Sequence, residues 1–172
     1  DAMTAAGCQW GNSWDLEVPL YFAPPDFAET PSLKRSNAFQ IVGEECKSVR
    51  SGVGLLDITG FSRFEVSGPN AEAWLNKVMA SKLPNPGRAS LAPMLSEEGK
   101  LKGDLTIFNW GDGTWWIMGS YYLRAWHMRW FNDHLTDGVS ILDLGENWAG
   151  FSLSGPKSKE VISRITDFPV DE

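Results

Sequence analysis

Two strand-type segments on either side of a short turn constrain the fold of this 172-residue chain more than any other feature of its sequence. Residues 89–95 and 101–108 have the composition of strands, and Glu97-Glu98-Gly99-Lys100 is typical of a hairpin turn because glycine readily adopts a positive φ. Asp104 lies within the second strand, where aspartate is uncommon because it buries poorly and competes for backbone hydrogen bonds. We interpret Asp104 as a ligand-binding residue, with a structural strand-end carboxylate as the alternative.

Composition excludes several functional classes. A hydrophobic content of 42% supports one domain with an irregular appendage. The net charge of −7 and the lack of any Lys/Arg run argue against a nucleic-acid surface. No apolar run reaches the roughly 20 residues that span a bilayer, so no membrane partner is expected. Cys8 and Cys46 lie far apart, so neither a disulfide framework nor a metal site is indicated.

Residues 1–35 are predicted to form a connecting arm rich in proline and aromatic residues, followed by one domain over residues 36–172. The four prolines of the arm disfavour a continuous helix or central strand, so we expect little regular structure. Its aromatic residues are too apolar for a free tail, and we expect Trp10 or Trp14 to be buried against another surface.

The periodicity of the remaining chain predicts helices alternating with strands. A helix capped by Ser36 is expected to bury one face, and a helix opened by Pro69 is expected to bury another. A strand over 115–118 should break at Gly119-Ser120, before a helix over 121–135. The two predicted buried faces consist of Phe39, Val42, Cys46 and Val49, and of Trp74, Leu75, Val78 and Met79.

An internal repeat organises these elements. Ser67-Gly68-Pro69 and Ser154-Gly155-Pro156 are separated by 154 − 67 = 87 residues, and each lies between a predicted strand and a predicted helix. We therefore predict an α+β fold in which helices pack on a largely antiparallel sheet. The repeat further predicts that the helices after Pro69 and Pro156 pack against the same sheet in related orientations.

Several catalytic motifs are missing. The spacing of His127 and His134 suits neither a zinc motif nor a triad, so we interpret them as surface histidines or as residues supporting a site from behind. Gly52-Val53-Gly54-Leu55-Leu56-Asp57 follows a predicted helix and lacks the third glycine of a dinucleotide-binding turn. No phosphate-binding loop occurs, and 150–154 misses the nucleophile elbow by its last residue.

Several segments together resemble the folate-binding aminomethyltransferases, the family that includes the glycine cleavage T-protein. Further segments resemble the C-terminal part of FAD-linked dimethylglycine and sarcosine dehydrogenases. The segments that resemble the aminomethyltransferases are Val49-Arg50-Ser51-Gly52-Val53-Gly54-Leu55-Leu56-Asp57-Ile58-Thr59-Gly60, Val66-Ser67-Gly68-Pro69-Asn70-Ala71, Ala92-Pro93-Met94-Leu95, Gly103-Asp104-Leu105-Thr106 and Leu153-Ser154-Gly155-Pro156. The segments that resemble the dehydrogenases are Pro19-Leu20-Tyr21-Phe22-Ala23-Pro24, Arg35-Ser36-Asn37-Ala38-Phe39 and His127-Met128-Arg129-Trp130-Phe131.

The resemblance implies the N-terminal part of a tetrahydrofolate-binding domain, in which Asp104 assists transfer of a one-carbon unit. Met94 and Phe108 match family positions near the ligand, although both are also compatible with ordinary core packing. Gly119 and Ser120 stand where the T-protein has Asn-Ala, and we include them in the cofactor-binding set. That difference, together with Leu91 in place of a tyrosine and Gly103-Asp104 in place of an aspartate pair, favours the dehydrogenase branch.

In that branch the substrate is an N-methylated glycine, the partner is an upstream FAD domain, and the location is the bacterial cytoplasm or the mitochondrial matrix. The resemblance also leads us to expect a domain incomplete at its C-terminal side. Two other functions stay open. One is a T-protein-like aminomethyltransferase or a folate-dependent demethylase, and the other is a non-catalytic docking module in which Asp104 is structural.

Overall fold

The computed structural model describes residues 2–13, 15–145 and 147–170. Five helices, nine strands and a 3-10 turn at Tyr121–Leu123 make up this part of the chain, and none of its helices is both long and apolar enough to cross a membrane. The elements are α1 (Ala2–Ala5), β1 (Cys8–Ser13), β2 (Leu16–Phe22), α2 (Ala38–Ser51), β3 (Gly54–Asp57), β4 (Phe61–Ser67), α3 (Ala71–Val78), β5 (Ala89–Leu95), β6 (Leu101–Asn109), β7 (Trp115–Ser120), α4 (Arg124–Asp133), β8 (Ser140–Asp143), β9 (Phe151–Ser154) and α5 (Ser158–Ile162).

The chain divides into two compact units, one from the described parts of 1–56 and 152–172 and the other from 57–151. This division differs from the predicted boundary after residue 35. Tyr21 and Ala23 of the arm form a small core with Ala38 of α2, so the arm and α2 belong to the same unit. Residues 36–172 are therefore not one continuous unit.

The arm has more regular structure than expected, because β1 and β2 pair as an antiparallel hairpin. Pro19 is accommodated opposite Trp10, next to a shift of register, where a missing N–H is tolerated. Trp10 is 37% exposed, and Trp14 lies outside the described residues, so the expectation that one of the two is buried stays a prediction. The predicted buried face of α2 is also wrong: Phe39, Val42 and Cys46 are exposed, and Ala38 is buried instead.

A five-stranded sheet in the order β5-β6-β7-β4-β8 forms the centre of the unit spanning 57–151, and all its strand pairs are antiparallel. This sheet and the helices packed on it confirm the α+β class. Gly99 adopts a φ of 74°, as the hairpin between β5 and β6 requires. The four residues predicted to form the buried stripe of α3 are all buried. They join a core whose other members include Phe64, Ile107, Ile117 and Phe131.

The two Ser-Gly-Pro turns share a local conformation but not a sheet. Gly68 and Gly155 have φ values of 112° and 122°, and each precedes a short helix. However, β4 lies in the five-stranded sheet, whereas β9 pairs with β3 in a separate two-stranded sheet. The prediction that α3 and α5 pack against one sheet is wrong, because a turn sequence determines local backbone angles and leaves strand pairing open.

Two element boundaries also differ from prediction. β7 continues through Gly119 and Ser120, which pair with Ser62 and Phe61 of β4 and do not interrupt the strand. The last helix, which the sequence predicts to run from Pro156 through Ile165, spans Ser158–Ile162. Pairing with a neighbouring strand therefore overrides the weak strand preference of Gly119-Ser120.

We predict that Gly68→Ala destabilises the unit spanning 57–151 by about 1–3 kcal/mol, because an L-residue is strained at this φ. The added Cβ would also lie 2.4 Å from the backbone oxygen of Gly138. Urea denaturation measures the loss. Gly60→Ala is the matched control, since the same methyl group there would meet no atom within 4 Å. Equal stability of the two variants would contradict this account.

Candidate functional site

Strand alternation places Asp104 on the side of the sheet opposite the core. In β6, Gly103, Leu105 and Ile107 are buried, whereas Asp104 is exposed and Thr106 is half-buried. We call this second side the open face. The open face consists of Phe61, Arg63 and Glu65 of β4, Ala89, Leu91 and Pro93 of β5, Asp104, Thr106 and Phe108 of β6, Trp116, Met118 and Ser120 of β7, and Leu142 of β8.

The strand registers bring Asp104 and Ser120 together. Asp104 pairs with Pro93, and Ser120 pairs with Phe61. The β6–β7 pairing ends at Thr106 and Met118, and Asp104 and Ser120 are the next residues of the two strands on the same face. We infer from this register that Asp104 and Ser120 are neighbours on the open face. Side chains opposite each other on one face have Cβ atoms about 5 Å apart. These four residues therefore form one row across the open face.

Phe108 shares the open face with Asp104 but lies farther along β6. Four residues separate the two, which corresponds to roughly 13 Å along a strand. Phe108 pairs with Trp116, whose indole Nε1 donates to Glu65 at 3.1 Å. The Trp116 ring also packs edge to face against Trp110 and Trp148. Phe108 therefore belongs to an aromatic end of the face and not to the row of Asp104.

Met94 and Gly119 point to the other side of the sheet. The Met94 side chain is 0% exposed within the core, which agrees with the alternative of ordinary core packing. Gly119 is buried, and a Cβ there would lie 2.6 Å from a methyl carbon of Leu105. The physical reason is the period of two in a strand, which alternates neighbouring side chains between the two faces. Gly119 contributes space beneath Ser120 and no side chain to a ligand.

A cleft of about 290 Å³ opens beside Ser120. Its aromatic walls are Phe61, Tyr121 and Tyr122, and Asp57 adds a carboxylate. Hydrogen bonds from the side chain and then the backbone N–H of Thr59 lower the pKa of Asp57 below its usual value. Our sequence analysis missed this cleft, although the Tyr121-Tyr122 pair directly after a strand was a usable signal.

A second cavity, of about 370 Å³, lies at the opposite end of the strands. Gly68, Asn109 and Trp115 are among its lining residues, and none of the five predicted site residues borders it. The Ser120 cleft is therefore the candidate functional site, because one of its lining residues shares a row with Asp104.

His127 lies on the core side of the sheet, against Gly103 and Gly119. It is only 1% exposed, so it is not a surface histidine. A Cβ at Gly103 would lie 3.0 Å from its Nε2 atom, and a Cβ at Gly119 would lie 3.4 Å from its Nδ1 atom. Within the described residues neither ring nitrogen makes a hydrogen bond of good geometry. Burial therefore lowers its pKa, and a weaker interaction with the Lys102 backbone opposes the shift.

Comparison with known proteins identifies the family. The model of the GCVT N-terminal domain matches residues 1–172 of the chain. The chain belongs to this family. A solved aminomethyltransferase T of the glycine cleavage system from Bartonella henselae shares the fold, with a TM-score of 0.75 at 17% identity over 99% of this chain and 43% of that one.

Dimethylglycine dehydrogenases and aminomethyltransferases are among the curated relatives of this GCVT-type chain. Mitochondrial dimethylglycine dehydrogenase from Mus musculus is 26% identical over 92% of the chain, and the Homo sapiens protein is 25% identical. An aminomethyltransferase from Geobacillus kaustophilus is 29% identical over 76% of the chain. The chain spans about a fifth of the dehydrogenases, at 19%, and about a third of that aminomethyltransferase, at 36%.

We predict that the free energy of unfolding falls as the pH drops below the ordinary histidine pKa of about 6.5, because His127 binds a proton more readily in the unfolded chain. Above that pH both states carry a neutral ring and the contribution is fully present. Urea titrations across this range should show a shallower pH slope for His127→Leu. An unchanged slope in His127→Leu would refute the assignment.

Proposed function

We propose that this GCVT-type domain binds tetrahydrofolate and serves as the folate module of a FAD-linked dimethylglycine or sarcosine dehydrogenase-type enzyme. In this role it captures the one-carbon unit of an oxidised N-methylated glycine as methylenetetrahydrofolate. The observation that carries the proposal is the exposed Asp104 carboxylate, placed in one row with Ser120 at the margin of an aromatic cleft.

The residues around the cleft fit the chemistry of a reduced pterin. Such a ring is flat, has N–H groups along its edges and stacks well on aromatic side chains. Phe61, Tyr121 and Tyr122 supply aromatic surface, and Asp57 supplies a carboxylate within the cleft. The Asp104 carboxylate is exposed outside the lining of the cleft and can accept a further hydrogen bond. Ser120 adds a hydroxyl that can donate or accept between them. This combination of apolar walls and a few polar groups is typical of small-molecule sites.

Asp104 has a specific role in this proposal. Bound tetrahydrofolate supplies the nitrogen atoms that receive the one-carbon unit. The Asp104 carboxylate accepts a hydrogen bond from a folate N–H and stabilises positive charge that develops nearby. Its exposure on the open face lets it reach a ligand without displacing core residues, and Ser120 on the adjacent strand limits how the ligand can approach.

FAD does not fit the described part of this chain. The Gly52-Val53-Gly54 segment follows α2 and leads into β3, whereas a dinucleotide-binding turn follows a strand and opens a helix. In our proposal FAD and the methylamine substrate belong to an upstream domain, the partner of this one. The similarity to dimethylglycine dehydrogenases over 92% of the chain supports that assignment.

A second candidate is a T-protein-like aminomethyltransferase, which the 29% identity to the Geobacillus kaustophilus protein favours. Both candidates use the same folate site and differ in the donor of the one-carbon unit. A folate-dependent demethylase would differ from them in the same way, and a docking module would not bind folate at all. Testing sarcosine or dimethylglycine against an aminomethyl donor as the source of the one-carbon unit separates the catalytic candidates.

We predict that the chain binds 5-formyltetrahydrofolate and that Asp104→Asn weakens this binding about tenfold, the equivalent of one lost charge-assisted hydrogen bond. Quenching of tryptophan fluorescence measures the dissociation constant. Glu97→Gln is the matched control, since Glu97 is an exposed carboxylate in the β5–β6 turn and should bind the ligand normally. Equal binding by both variants would leave Asp104 as a structural residue.

In a dehydrogenase-type parent enzyme, Asp104→Ala should reduce formation of methylenetetrahydrofolate by about 10²–10⁴-fold, the usual contribution of a proton-transferring or charge-stabilising group. Oxidation of the methylamine should continue, because that chemistry belongs to another domain. Released formaldehyde should rise in compensation, since the untrapped iminium product hydrolyses in water. An unchanged yield of methylenetetrahydrofolate at saturating folate would show that Asp104 does not take part.

A further inference from the structure

Arg63 is a buried cation that the proposed folate chemistry does not use. It lies on the open face in β4, and its side chain is only 6% exposed. Its Nη1 donates to the backbone oxygens of Thr59 at 3.0 Å and Phe61 at 2.9 Å, and its Nη2 donates to that of Ile58 at 2.9 Å. The planar fork of a guanidinium suits this pattern, because it presents donors in fixed directions.

The three carbonyls belong to the segment that forms one wall of the Ser120 cleft. Arg63 donates to carbonyls within residues 58–61, and Ile58, Gly60 and Phe61 of this segment all line the cleft. Residues 58–60 of the segment lie between β3 and β4 and so lack the ladder pairing of a strand, whereas Phe61 begins β4. Hydrogen bonds from the guanidinium therefore restrain the backbone of this segment, as ladder hydrogen bonds restrain the backbone of a strand.

Gly150 contacts both the guanidinium and the 58–61 segment. Its backbone oxygen accepts from the Ile58 N–H at 2.8 Å, and its N–H donates to the Thr59 hydroxyl at 3.0 Å. A Cβ on Gly150 would lie only 2.2 Å from the Nη2 atom of Arg63. A side chain at position 150 would therefore displace the guanidinium of Arg63 from its present position.

We propose that Arg63 is a positioning residue for the folate site, and that Gly150 is the residue that lets the guanidinium take its position. Arg63 holds the 58–61 segment so that the Phe61 ring and the Asp57 carboxylate face the ligand together. We assign it no direct contact with the ligand, because three of its N–H groups donate to the protein backbone. This inference rests on the proposed function.

The alternative is an arginine that stabilises the fold without affecting the site. The two roles differ in what a mild substitution changes. Arg63→Lys keeps the charge, but an ammonium group cannot reproduce the planar fork that spans three carbonyls. A positioning role predicts a loss of ligand affinity in the folded variant, whereas a purely stabilising role predicts a lower melting temperature with normal affinity.

The test compares Arg63→Lys, Gly150→Ala and the double variant by titration with 5-formyltetrahydrofolate and by amide hydrogen exchange. Each single variant should weaken binding about tenfold and speed exchange at the Ile58 amide, while exchange within the β6–β7 ladder stays unchanged. The double variant should bind about as well as Arg63→Lys alone, because both changes disrupt the same contact. Ile117→Val is the control, since it lowers stability in the core without touching the segment.

Normal affinity in both single variants, with the unaltered chain binding the probe, would overturn the inference and leave the proposed function standing. A loss of affinity in Ile117→Val as large as in Arg63→Lys would also overturn it. If the unaltered chain does not bind the probe, the proposed function falls and the inference falls with it. If Arg63→Lys does not fold, the affinity of Gly150→Ala for the probe tests the inference by itself. This variant keeps the arginine and fills only the space that its guanidinium occupies.

Discussion

The pleat of the five-stranded sheet is the constraint on which the rest of the unit spanning 57–151 depends. Because neighbouring side chains point to opposite sides, each strand supplies the core and the open face at the same time. Leu105 and Ile107 pack into the core, while Asp104 and Thr106 between them face away. A register slip of one residue would bury the Asp104 carboxylate and expose the core, so packing fixes the position of the candidate site.

The same alternation explains why glycines precede both polar residues of the Asp104 row. Gly103 and Gly119 point toward His127, and neither leaves room for a side chain without displacement of the ring or of Leu105. Asp104 and Ser120 then point away from it on adjacent strands. The buried imidazole acts as a spacer between α4 and the sheet, and the strands above it carry the groups we assign to ligand binding.

The sequence predicted features that depend on local pattern. The β5–β6 hairpin, its Gly99 turn and the buried stripe of α3 follow from turn chemistry and periodicity alone. The sheet of β9, the exposed face of α2 and the core position of Met94 depend on strand pairing and packing between distant segments. Arg63 and Gly150 were missed for the same reason: 87 residues separate them, 150 − 63, and only the fold shows that they share a contact.

The strand order also has a consequence for how the chain reaches this structure. β5, β6 and β7 are joined in sequence as a meander, whereas β4 is inserted between β7 and β8 and pairs Phe61 with Ser120, 59 residues away. Closing such a loop costs entropy before any contact repays it, so topology favours early formation of the meander and late insertion of β4. Arg63 enters the sheet with β4, so the topology favours assembly of this wall of the cleft after the meander has formed.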